Sequence, residues 1–141
     1  MKNFSTDWHY QGNTLHEAPQ DVQGFVYLIT NTSLDKRYIG KKNFWRVKKL
    51  PPLKGRKNKR HQTVETDWRT YWGSNEQLKQ DLQRYGKDCF RREILEFCAT
   101  KSWMSYHETR LQFSLGVLLG DDWYNNFIGC KIHGNHLKTD N

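Results

Sequence analysis

The feature that most restricts the fold of this chain is a short run, Phe25-Val26-Tyr27-Leu28-Ile29, followed closely by a second, Arg37-Tyr38-Ile39-Gly40. The first run is dense in β-branched and aromatic residues. Between the two lies Asn31-Thr32-Ser33-Leu34-Asp35, which has the composition of a turn, so the pair reads as a β-hairpin. On a hairpin Tyr27 and Tyr38 fall on consecutive strands, where their rings can be neighbours on one face and present two phenolic hydroxyls to one place. Gly40 beside them lets a backbone or a phosphate come close. Paired tyrosines are also ordinary core packing, and at this point both readings are open.

Helix signals follow the hairpin. Ser74-x-x-Gln77 has the form of a capping box, Leu78, Leu82 and Tyr85 recur at i, i+4 and i+7, and Gly86 is placed to stop the helix. Phe90 to Phe97 reads as a third strand, and a second long helix is expected over about 102–119. On that helix Met104, Glu108, Leu111, Leu115 and Leu118 recur at intervals of four and three, which places Glu108 within the apolar stripe that should face the sheet. An ionised carboxylate buried alone costs several kcal/mol, so Glu108 needs a cation: Arg110 or Arg92 in a salt bridge, or a bound metal.

Charge is unevenly distributed. The 141 residues carry 23 Lys+Arg against 15 Asp+Glu, a net charge of +8. Ten of the basic residues fall between Lys41 and Arg60, where there is no acid. Pro51-Pro52 and Gly55 exclude a long helix there, so the segment reads as a short helix or turn followed by a mobile, extended basic loop. A block this dense suits a polyanion, with aromatics such as Phe44, Trp45, Trp68, Tyr71 and Trp72 available to lie against sugars or bases; the alternative is a solvated basic surface. The length suits one domain, and 35% hydrophobic with 14% aromatic residues is too much for a disordered chain. No apolar stretch is long enough for a secretory signal or a membrane span, so a cytoplasmic location is expected. Three widely spaced cysteines fit a reducing compartment. Cys130-x-x-His133-x-x-His136 has the ligand types for a metal but lacks the second paired half of a four-ligand zinc site.

Gly24-Phe25-Val26-Tyr27, ten residues, then Tyr38-Ile39-Gly40 resembles the paired signature of the GIY-YIG nucleases, with Lys41-Lys42 following as in many phage-borne members. Tyr71-Trp72-Gly73-Ser74-Asn75-x-x-Leu78 and Arg84-Tyr85-Gly86-Lys87-Asp88-x-Phe90-x-x-Glu93-Ile94-Leu95 are similar to the middle of the homing-endonuclease branch, and Asp122-Trp123-Tyr124-Asn125-Asn126 to its closing motif. The resemblance implies an α+β fold, a small three-stranded antiparallel sheet flanked by helices. It would occupy 24–132, including the basic loop 41–62, after a polar N-terminal arm over 1–23 and before a C-terminal tail over 133–141.

The same resemblance implies a metal-dependent DNA endonuclease, phage or mobile-element encoded, that acts in the host cytoplasm by hydrolysing phosphodiester bonds with one Mg²⁺ or Mn²⁺. Tyr27 and Tyr38 match the signature tyrosines, Glu108 the metal-binding glutamate, and Asn125, or Asn126 in a shifted register, the closing asparagine. Arg46 matches the arginine that follows the second tyrosine, with Lys48 and Arg56 as alternatives. His61, Lys41 and Lys42 are candidates for the proton acceptor beside Tyr27. Lys48, Lys49, Lys54, Arg56, Lys57, Lys59 and Arg60 would contact DNA. Nicking or double-strand cleavage, and a monomer or a transient dimer, are equally compatible with the residues. The rival reading is a non-catalytic DNA-binding protein on the same scaffold.

Overall fold

The computed structural model describes residues 6–141. In chain order the strands are β1 (Trp8–Tyr10), β2 (Asn13–Thr14), β3 (Gly24–Asn31), β4 (Lys36–Asn43), β5 (Trp45–Leu50), β6 (Arg60–Glu65) and β7 (Phe90–Cys98), with helices α1 (Glu76–Tyr85) and α2 (Lys101–Ser114). The hairpin forms as the sequence indicates: β3 and β4 pair antiparallel with Tyr27 opposite Gly40 and Ile29 opposite Tyr38. The two tyrosines are therefore diagonal neighbours on one face, their ring centroids 6.1 Å apart. β3 is buried along nearly its whole length because β7 pairs with its other edge, also antiparallel. The register of that second pairing shifts between Val26 and Tyr27, a bulge that places Leu95 opposite no residue.

The sheet has five strands and is mixed, in the order β2-β1-β7-β3-β4, where a three-stranded antiparallel sheet was expected. The added strands come from the stretch expected to be a polar arm. β1 pairs parallel with β7, Trp8 opposite Arg92, and β2 folds back antiparallel on β1. Burial explains why this short strand holds. Trp8 is 1% exposed, its indole N–H donates to the Trp68 carbonyl at 2.6 Å, and its ring meets Phe25 and Tyr27 edge-on.

The alternation of β3 divides the core into two layers. Phe25, Tyr27 and Ile29 face a cluster with Trp8, Phe44, Trp68, Leu78, Phe90 and Tyr124, on the side covered by α1. Val26 faces the second cluster with Ile39, Cys98, Met104 and Val117, on the side of α2. The cap of α1 is Asn75, whose side chain accepts from the Leu78 N–H, in place of the Ser74 box; Gly86 stops the helix at φ 84° as expected. Helix α2 ends at Ser114, so Leu115 and Leu118 lie beyond the stripe and are exposed rather than packed on the sheet.

The basic segment departs furthest from expectation. It is neither helix nor wholly loop: β5 and β6 pair antiparallel over six positions as a separate two-stranded ribbon, and only 51–59 between them is irregular. The prolines and Gly55 that argued against helix fall in that connection, where they interrupt no ladder. The expected tail is tied down in places: Gly134–Leu137 makes a short turn of 3₁₀ helix, the Trp103 indole N–H donates to the Thr139 carbonyl, and the Ala99 N–H donates to the Asn141 side chain.

Removal of the Trp8 side chain should therefore act as a core deletion and not as a change in a terminal arm. Trp8→Ala is expected to cost about 3–5 kcal/mol in urea unfolding. A loss under 1 kcal/mol would show that β1 is dispensable to the core.

Candidate active site

The polar side chains of interest gather where β4 forms the open edge of the sheet. A cavity of about 390 Å³ is lined there by Tyr38 and Lys41 of β4, Ser74 to Glu76 at the start of α1, Glu108 and Gln112 of α2, and Asn125, Asn126, Phe127 and Gly129 of the C-terminal segment. Elements from both faces of the sheet thus meet across one edge strand.

Tyr27 lies behind Tyr38. Its hydroxyl sits over Gly40, where a β-carbon would stand 2.5 Å from Tyr27 Cζ and 2.9 Å from Tyr38 Cε2, so only glycine fits. Burial pushes its phenol well above the ordinary tyrosine range, and hydrogen bonding to Tyr71 adds to the rise, as expected if Tyr27 donates. Tyr71 is held in turn. Its carbonyl accepts from Arg92 Nη1 at 2.7 Å, while Arg92 also donates to the Thr6 carbonyl and is sandwiched between Trp8 and Trp72 at 4.7 and 4.2 Å from their ring centroids. Burial lowers this guanidinium to about 10. Lys42 Nζ lies 4.1 Å from the centre of the Tyr71 ring and 2.6 Å from Asp67 Oδ1. Burial also raises Tyr38, opposed by a hydrogen bond from Ser74.

Glu108 occupies the stripe position read from the sequence, yet neither Arg110 nor Arg92 neutralises it. Arg110 pairs with Glu96 at 3.2 Å, and Arg92 is engaged as above. The cation nearest to Glu108 is Lys41, with Nζ 4.0 Å from Oε1 and a 2.7 Å hydrogen bond to Ser105 Oγ. Burial raises the Glu108 carboxyl above its usual range, and Lys41 offsets part of the rise.

Asn125 clasps β4. Its Oδ1 accepts from the Ile39 N–H at 3.1 Å and its Nδ2 donates to the Ile39 carbonyl at 2.9 Å, where Gln112 Nε2 donates as well at 3.3 Å. One pairing earlier the Arg37 N–H donates to Asp122 and its carbonyl accepts from Tyr124. The alternation of an antiparallel edge then points the N–H of Lys41 the same way, toward the cavity.

The structure thus brings Tyr38, Lys41, Glu108 and both asparagines to one cavity, with Tyr27 packed against it. Arg46, Lys48, Arg56 and His61 are not among the lining residues: Arg46, Lys48 and His61 lie on the ribbon and Arg56 in its connection, because the segment after β4 continues as a strand and not as a helix across the site. Lys42 faces Tyr71 on the other side of the sheet. Cys130 Sγ reaches the Ser105 carbonyl, and His133 and His136 bond within their own turn, so the three residues do not converge. Gln112 is a partner that sequence reasoning did not name, four residues after Glu108 on the same helix face, while Tyr71 and Ser74, read there as a surface aromatic and a helix cap, are here neighbours of the two tyrosines.

A family model described as "Putative endonuclease segE, GIY-YIG domain" matches residues 8–128. No curated protein and no solved structure matches the chain. The match begins at β1, the strand absent from the motif-based reading, and runs through the asparagine pair and Phe127. The chain is a member of the GIY-YIG endonuclease family.

Proposed function

We propose that the protein is a metal-dependent DNA endonuclease that hydrolyses one phosphodiester bond per cavity, and that it serves a phage or another mobile element. The observation that carries this reading is Glu108: a mostly buried carboxylate at a polar cavity, with its nearest cation 4.0 Å away. The donor set fits a single hard cation. Mg²⁺ keeps several of its waters and is commonly held by one or two carboxylates plus phosphate oxygens, and the cavity has room for both. Glu108, with Asn126 across the cavity, would hold Mg²⁺ or Mn²⁺, which when bound would stabilise charge on the leaving oxygen.

The remaining roles follow from the chain's own groups. Both phenols are neutral at physiological pH, and a neutral phenol accepts a proton from water only as it passes its own onward. Tyr27 has the Tyr71 hydroxyl as that next acceptor, and Tyr71, half-buried, in turn releases its own proton to solvent. Tyr38 borders the cavity and orients the phosphate. Lys41, the cation among the described lining residues, stabilises the charge that grows on the phosphate, in place of the arginine matched to Arg46, and its main-chain N–H points to the same place. Asn125 shapes the cavity through β4 and does not touch substrate. The non-catalytic reading loses support because both tyrosines, Glu108, Asn125 and Lys41 are at the site or its backing; the arginine and His61 are the expected groups that lie elsewhere.

Two experiments check this. Supercoiled plasmid with Mg²⁺ should be nicked or linearised by the wild type, and Glu108→Gln, Tyr27→Phe and Lys41→Ala should each lower the rate on the order of 10²–10³-fold. Near-normal cleavage by Glu108→Gln would refute the metal assignment.

The second reads stability. A carboxyl raised by burial is less welcome ionised in the folded state than in the unfolded one. Its cost is complete above the folded pKa and vanishes as pH falls below the unfolded value. Without divalent ions, Glu108→Gln should accordingly be more stable than wild type at neutral pH, with the advantage fading in acid. Equal urea midpoints at pH 7 would show that Lys41 already neutralises the site.

A further inference from the structure

We propose that the β5–β6 ribbon is the element that reads DNA sequence: it enters the major groove with Arg46, Lys48, Gln62 and Arg60 toward the base edges, while the connection 51–59 contacts phosphates. This rests on the DNA-endonuclease reading above and adds the element that selects the site.

The ribbon has no core of its own. Residues 46–49 and 60–63 are exposed, and a lone two-stranded hairpin is marginal in water, so its regular pairing calls for a partner surface. From Trp45 to Glu65 it carries eight Lys and Arg residues and one acid. That acid, Glu65, is engaged at the root by the Trp68 indole and Arg69, and among the described residues none of the eight cations is in an ion pair. A polyanion is the matching chemistry, and a major groove about 12 Å wide admits a two-stranded ribbon.

The register selects the reading face. Trp45, opposite Glu65, is tied to the body by its indole N–H to the Pro19 carbonyl, which turns that side of the root inward. The other face carries Arg46, Lys48, Gln62 and Arg60, since Arg46 lies opposite Val64, Lys48 opposite Gln62 and Leu50 opposite Arg60. These side chains suit base edges: Arg or Lys donates to guanine O6 and N7, and Gln pairs with adenine N6 and N7.

The root is clamped to the same strand that lines the active site. Phe44 is fully buried, its N–H donates to Gln23 and its carbonyl accepts from Thr66, whose hydroxyl donates to Asn43. Trp45 lies four positions after Lys41, at most roughly 13 Å of chain, and six-residue strands add about 20 Å. The bases read therefore lie within about one helical turn, roughly 10 base pairs, of the scissile phosphate.

The test is selection from a library of random 40-base-pair duplexes with the full chain carrying Glu108→Gln, so that cleavage does not deplete binders. The parent should enrich a motif whose binding is blocked by methylation at guanine N7. Adding Arg46→Ala, Lys48→Ala and Gln62→Ala should lower preference for that motif roughly 10-fold or more, while Gln62→Glu alone should change the base chosen at one position. Neutralising Lys54, Arg56, Lys57 and Lys59 should instead weaken all sequences alike and flatten the dependence of log K on log salt by about 3 to 4, with the motif retained. The same motif enriched by the face variants, or none by the parent, overturns the proposal. Failure of the nuclease reading would show separately, as intact plasmid with the wild type, and leaves the selection result standing.

Discussion

Tyr27 places a polar hydroxyl in the middle of a strand buried on both faces, and much of the molecule is arranged around that constraint. A buried hydroxyl needs space and a partner. Gly40 on the neighbouring strand supplies the space, and Tyr71 supplies the partner. Tyr71 is fixed by Arg92, and Arg92 is fixed by the Thr6 carbonyl and by the rings of Trp8 and Trp72. The N-terminal strand, remote in sequence from the cavity, is thereby part of the support of its first tyrosine. Replacing Arg92 would leave the Tyr71 and Thr6 carbonyls without their donor, so its effect would extend to both ends of this chain of contacts.

The second organising fact is the edge of β4. Edge strands leave main-chain groups unpaired, and this one is covered along part of its length by side chains and by the segment after α2. Where the cover stops, the cavity begins. Glu108 then sits at the boundary between core and opening, near enough to the sheet to be desolvated and still part of the cavity lining. Its burial destabilises the folded chain when ionised, and Lys41 at 4.0 Å offsets only part of that cost.

Much of this was legible in the residues. The hairpin declared itself because two β-rich runs flank a turn, and the diagonal placement of Tyr27 and Tyr38 follows from strand period alone. Glu108 stood out because one acid interrupted a helical stripe, although the stripe was read too far, past the end of α2. β1 was not legible: three residues show no period, and their partner β7 lies some eighty residues on, in a parallel pairing that no local signal encodes. The ribbon was hidden for a different reason. Its residues are charged and its connection holds two prolines, so local propensity argued for a loop, and only cross-strand pairing reveals strands. Asn125 was found by its motif, but its contacts are with the Ile39 backbone, a relation between segments 86 positions apart that no pattern in one chain displays.

That clasp also makes the site depend on distant parts of the chain. The cavity is lined by residues from Tyr38 to Gly129, and the segment from Asp122 to Asn125 bonds to the outer edge of β4. The same segment brings Tyr124 into the core beside Asn31 and Asp81, so the cover of the β4 edge and the packing against α1 come from one stretch of chain. The site is thus composite: residues far apart in the sequence meet at one edge strand, and no single segment carries the whole lining.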